Sequence, residues 1–144
     1  MLNKEEQRGK RLWVERDKDG TWNAYGDNGA HITFGKGEDQ FNPGDLMKIA
    51  LAACGALSSQ FAVESALGKG KGAKIVVDGT YDADDDAYLS FDEQVDVDAT
   101  SARLAQEDAD KLEERIRRHI AKSCTVAHTY QRETPVRISV KVRH

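Results

Sequence analysis

The stretch FNPGDLMKIALAACGALSSQF, residues 41–61, joins a helix-opening signal to one cysteine set among small apolar side chains. Asn42 is suited to a cap and Pro43 to the first helical turn, where a missing N–H costs nothing. Beyond them Leu46, Ile49/Ala50, Ala53 and Leu57 recur at helical spacing, which predicts a buried helix stopping near Gly68. Cys54 falls on or beside that stripe. Whether it is a small core residue or a reactive thiol decides how much more the sequence says.

Upstream of this helix, residues 11–35 alternate in character. Leu12 and Val14, Trp22 and Ala24, and Ile32 and Phe34 share one side, with turn signals at Asp19-Gly20 and Asn28-Gly29, so a three-strand antiparallel meander is predicted. Downstream, GKGKGA forms a loop, and two strands follow, Lys74 to Asp82 and Tyr88 to Ala99, joined at ADDD. In the second strand Leu89, Phe91, Val95 and Val97 alternate with polar residues and mark a buried face. A second helix is expected from about Leu104 to Lys122, with Leu112, Ile116 and Ile120 on one side, acids early and bases late, as the helix dipole favours. Cys124 follows it, before a final strand in which Val136, Ile138, Val140 and Val142 alternate with charged or polar residues. The order βββ-α-ββ-α-β is that of an α+β domain.

The 144 residues are the size of one domain, so one compact unit is expected over 1–144. With 21 Lys and Arg against 25 Asp and Glu, interspersed, the chain has no dominant basic face for nucleic acid. The opening MLNKEEQRGK has no apolar core of a signal peptide, and the longest apolar run, Ile49 to Leu57, is far short of the ~20 residues a bilayer requires. A soluble, cytoplasmic protein without a membrane partner is therefore expected. Apolar residues outside the main stripe of the first helix, Met47, Leu51 and Phe61, call for a partner subunit, and a homodimer is expected.

Two cysteines are too few for a disulfide scaffold. Free cysteine is among the most buried residue types, so either one alone is no more than a small core residue. As a pair they say more, because each sits on or after a helix facing the same small core. A peroxidatic thiol needs such a neighbour, which captures its sulfenic acid before further oxidation. It also needs a lowered pKa, for which Arg11, Arg16, Lys18 and Lys48 are the available cations. A metal site built from Cys54, His119, Cys124 and His128 lacks the paired C-x2-C spacing, His31 and His144 read as surface residues, and no G-x-S-x-G elbow supports a hydrolase.

The cysteine segments FNPGDLMKIALAACGALSSQF and SCTVAHTYQRETPVRISV resemble those of the OsmC/Ohr family of organic hydroperoxide reductases, and the similarity extends over nearly the whole chain. The resemblance implies the OsmC-like fold, an intertwined homodimer, and two active sites at its interface. It casts Cys54 as peroxidatic and Cys124 as resolving thiol, with an organic hydroperoxide as substrate, an external dithiol reductant of lipoyl type, and no cofactor or metal. The apolar neighbours Leu51, Leu57 and Phe61 would suit an alkyl tail. Two positions depart from the pattern. Gly44 stands where the peroxidase branches carry an acid, and Asp45 follows, either replacing that acid or serving the helix N-terminus. The activating arginine maps onto RDKDG, where Arg16 or Lys18 takes its place; a lysine stabilises a thiolate but makes no bidentate contact with a carboxylate. These departures leave a second reading open, a non-enzymatic OsmC-like module acting as a redox switch or small-ligand pocket.

Overall fold

The structure, a computed structural model, describes residues 10–144; all but the last residue of MLNKEEQRGK lies outside it. The chain divides after Met47 into two compact units.

In the first unit β1 (Leu12–Arg16), β2 (Trp22–Gly26) and β3 (His31–Phe34) form an antiparallel sheet in sequence order. Val14 faces Ala24, which faces Ile32, and Trp22 faces Phe34, so the residues of the predicted apolar side do share one face. Gly20 and Gly29 take the positive φ the two turns demand. On the opposite face Tyr25 stacks between Trp13 and His31. His31, expected as a plain surface residue, also hydrogen-bonds through Nε2 to the buried Asn23 at 2.7 Å.

Helix α1 (Pro43–Leu67) opens on a reciprocal cap: Asp45 N–H donates to Asn42 Oδ1 at 2.8 Å, and Asn42 N–H donates to Asp45 Oδ2 at 3.0 Å. Its interior corrects the sequence reading. The buried residues are Leu51, Gly55, Ser59, Ala62 and Val63, whereas Ala53 and Leu57 of the predicted stripe point to solvent and Ile49 is exposed. Leu51, expected as surplus for a partner, is inside. The helix is apolar on nearly every side, so helical spacing of apolar residues does not single out one face. Averaged over the helix rather than counted as an unbroken run, this apolarity is also greater than the sequence reading allowed. An 18-residue window of the 25-residue helix reaches a mean hydropathy of 1.5, long and apolar enough by composition to cross a membrane. Its buried side instead packs within the domain.

The second unit continues with β4 (Lys74–Asp82) and β5 (Ala87–Asp96), an antiparallel pair, then a 3-10 turn at Thr100–Ala102, helix α2 (Gln106–Ser123) and a short helix α3 (Thr125–Tyr130). Ala62 and Val63 of α1 meet Leu112 and Ile116 of α2 in the core, with Val95, Val97, Leu104 and Ile120 around them. Here the sequence reading of α2 holds. A bulge between Thr80 and Tyr81 pairs Tyr81 with Tyr88 and skips Leu89, which is exposed rather than part of the inner face. Tyr88 takes the inward place and packs on Phe91, which in turn packs on Tyr130.

The final strand is not formed. Residues 133–144 have no regular secondary structure, and Val136, Ile138, Val140 and Val142 are each about four-fifths exposed. Alternation makes a segment competent for a sheet, but a strand exists only beside another. Helix α3, in the middle of SCTVAHTYQ, was not anticipated.

Candidate functional site

Both cysteines lie in the second unit, and the fold brings them together. Cys54 is half-buried one residue before Gly55, whose side of α1 faces β5. Cys124, fully buried, is the joint between two helices: its N–H closes α2 on Ile120 O at 3.0 Å, and its sulfur accepts from Ala127 N–H at 3.4 Å to cap α3. A sulfur in place of the usual cap oxygen leaves this thiol with its own helix to serve.

Around Cys54, burial opposes ionisation but is outweighed. Hydrogen bonds from the Val126 N–H, the Cys124 thiol, the Ser58 hydroxyl and the Thr125 N–H hold its pKa below the ordinary 9.0. Cys124 moves the other way. Burial first, then its hydrogen bond to Cys54 and the charges of Cys54 and Glu93, push its thiol above that value, with the Ala127 N–H in partial opposition. The Cys54 thiol therefore gives up its proton more readily than an ordinary cysteine, and the Cys124 thiol less readily.

A third residue belongs here that the sequence reading passed over. Glu93 occupies the inner face of β5 between Phe91 and Val95, where the alternation calls for an apolar side chain. Its Oε1 is buried without a hydrogen-bond partner, and burial raises its pKa. A Cβ at Gly55 would overlap that oxygen, so the glycine makes room for the carboxyl. The signal was in the sequence as one acid interrupting Phe91-x-x-x-Val95-x-Val97 in phase.

The other predicted residues are placed differently. Arg16 and Lys18 lie in the first unit, in a turn organised by its own acids: Asp17 Oδ1 accepts from the N–H of Asp19 and Thr21, and Arg16 Nε donates to Gly20 O at 2.8 Å while its guanidinium covers Trp22. Lys18 is exposed, and Arg11 immediately precedes β1 of that unit, its N–H donating to Asp27 Oδ2 at 3.3 Å. Asp45 is engaged in the α1 cap. Lys48, in the second unit, lies over the Tyr88 ring at 5.3 Å. Of the residues suggested for an alkyl tail, Leu51 lines a pocket of about 380 Å³ with Tyr88, Phe91, Tyr130, Ala127 and Glu93, whereas Leu57 and Phe61 face outward, Phe61 beneath Arg115. Among the described residues no three His, Cys, Asp or Glu side chains converge as metal ligands, and His128 bonds the Ala121 carbonyl.

An α+β domain holding two oppositely biased thiols in contact defines a dithiol protein. Comparison with known proteins gives its lineage: the OsmC-like protein family matches residues 35–139, and the chain belongs to that family. Uncharacterized proteins of Mycobacterium tuberculosis and Mycobacterium bovis are 31% identical over 131 residues, covering 90% of this chain and 94% of theirs. Among solved structures, an OsmC-like protein of unknown function from Vibrio cholerae superposes with a TM-score of 0.57 at 13% identity, over 85% of this chain and 94% of that one. The organic hydroperoxide resistance protein OhrB of Bacillus subtilis superposes with a TM-score of 0.51 at 16% identity, over 85% and 90%. These likenesses establish the antiparallel α+β fold with two main helices.

Proposed function

We propose that the protein is a thiol-dependent peroxidase that reduces organic hydroperoxides to alcohols. What supports this is that the fold sets Cys54 beside the buried Cys124 at the α2–α3 joint, where hydrogen bonding draws the Cys54 pKa down and burial pushes that of Cys124 up. The Cys54 thiolate attacks the O–O bond, forming a sulfenic acid and an alkoxide that takes a proton and leaves as the alcohol. The Cys124 sulfur then displaces hydroxide from Cys54, giving a disulfide and water, and an external dithiol, of lipoyl type by family resemblance, reduces the disulfide by exchange. Every step uses sulfur and oxygen chemistry alone, so the cycle needs no cofactor. The pocket of Leu51, Tyr88, Phe91 and Tyr130 would take the apolar part of the substrate.

The working form in this reading is a cytoplasmic homodimer. The exposed apolar face of β1–β3, the outward Leu57 and Phe61, and the unpaired alternating segment 136–142 all await cover, and a second copy offers sheet edge and apolar face together.

A second reading, a redox-sensing or small-ligand module, is favoured by one feature: Asp45 and Arg16 are both occupied locally, in the α1 cap and the Gly20 turn. Mass spectrometry of intact protein and peptides after one equivalent of cumene hydroperoxide or hydrogen peroxide, then a dithiol, separates the two. A rapid Cys54–Cys124 disulfide, preferential for the organic peroxide and reversed by the dithiol, supports the peroxidase; thiols left unreacted overturn it.

A further inference from the structure

Glu93 costs the fold more than a residue of ordinary use would. An apolar side chain would complete the inner face of Phe91, Val95 and Val97. A carboxyl stands there instead, one oxygen buried and unpartnered, and α1 carries a glycine at Gly55 to accommodate it. That glycine adjoins Cys54 in sequence, and the Glu93 charge acts on Cys124. A carboxylate with a free lone pair, in one pocket with the Ala127 whose N–H meets the Cys124 sulfur, has the composition of a base for that thiol.

The geometry points to Glu93 as the proton acceptor for Cys124 when that thiol closes a disulfide on Cys54. In the peroxidase cycle, on whose reading this form of the step rests, Cys54–S–OH and Cys124–SH become a disulfide and water. As the S–S bond forms and the S–O bond breaks, the Cys124 proton passes to Glu93 and from it to the departing hydroxide, which restores the carboxylate. Burial helps, because a carboxylate with a raised pKa is a stronger base than an exposed one and lies nearer the thiol it must deprotonate. The other titratable groups lining the cavities on either side of Glu93 are Tyr88 and Tyr130 on one and Asp96, Glu113 and Arg117 on the other.

The closing step can be isolated without peroxide. With 5,5′-dithiobis(2-nitrobenzoate) as oxidant, Cys54 attacks the reagent and releases a first thionitrobenzoate; Cys124 then attacks the mixed disulfide and releases a second. This leaving group needs no proton, so the second phase reads only the loss of the Cys124 proton. Glu93→Gln preserves shape and is expected to slow the second phase by about 10- to 100-fold at neutral pH. The deficit should shrink as pH rises and Cys124 ionises unaided; while Glu93 is ionised the wild-type rate should hold level as that of the variant falls steadily with pH, and the break where Glu93 protonates should be absent from the variant. Were Glu93 only a charge opposing Cys124, Glu93→Gln would close faster. A second phase as fast as wild type, or faster, or a deficit independent of pH, overturns the proposal. Wild-type protein that fails to form the disulfide with cumene hydroperoxide overturns the peroxidase reading, while the two-phase release still decides the role of Glu93.

Discussion

Helices α1 and α2 meet at the same core, yet α2 offers it a single apolar stripe while α1 is apolar on nearly every side. In α2, charged residues surround Leu112 and Ile116, so apolar spacing has only one meaning, and those two residues are buried as expected. In α1 apolar residues run all round, and the face that packs is chosen by size: Gly55, Ser59 and Ala62 allow close approach, while bulky Leu57 is left 73% exposed. A helix with one apolar stripe is designed against one neighbour. A helix apolar on every side is designed for more than one, and Cys54 sits at its boundary between the covered and uncovered sides.

The largest test of this contrast is chemical. Cys54→Ser on α1 should abolish peroxide turnover, whereas Cys124→Ser at the end of α2 should permit one oxidation and then arrest, with sulfenic or sulfinic acid on Cys54 by mass spectrometry. Normal turnover by Cys54→Ser would end the proposed mechanism. The two thiols should also separate in alkylation rate against pH. In Cys124→Ser the Cys54 rate should rise below pH 9.0, its lowered pKa placing the thiolate there, while in Cys54→Ser the surviving Cys124 should react slowly because it is buried and holds its proton.

Packing gives the next contrast. Leu112→Ala should cost about 2–5 kcal/mol in denaturant unfolding, the range for a buried leucine, and Leu57→Ala under about 0.5 kcal/mol if its side of α1 stays bare. A loss at Leu57 as large as at Leu112, growing with protein concentration, would show that a second copy covers it.

Glu93→Met should stabilise the chain by about 1 kcal/mol at neutral pH, the low end for an unsatisfied polar group, since the side chain is only half-buried. The sign follows from linkage. Burial raises the folded pKa of Glu93, so the folded state holds the proton more tightly, and the wild type loses stability as pH rises from the unfolded value through the folded one. The advantage of Glu93→Met should therefore shrink in acid, below the ordinary value of 4.5. Smallest of all, Lys111→Ala breaks an exposed pair with Glu107 at 3.3 Å and should cost no more than about 0.5 kcal/mol, vanishing in high salt.

Elements whose signals are local are legible in the sequence. Asn42 and Pro43 open α1, Gly20 and Gly29 turn the meander, and the apolar and charged sides of α2 assign its inner face, because caps, turns and single stripes are decided within a few residues. The resemblance carried by the two cysteine segments likewise singled out the thiols. Tertiary structure decided what depends on a neighbour. The packed face of α1 was set by which small residues let β5 and α2 approach, and the inward place of Tyr88 by a bulge that alternation does not register. The segment 136–142 stayed unpaired because a strand needs another strand. Glu93 became part of the site only when folding laid it across Gly55, for a carboxylate has no unusual chemistry until its surroundings remove its water.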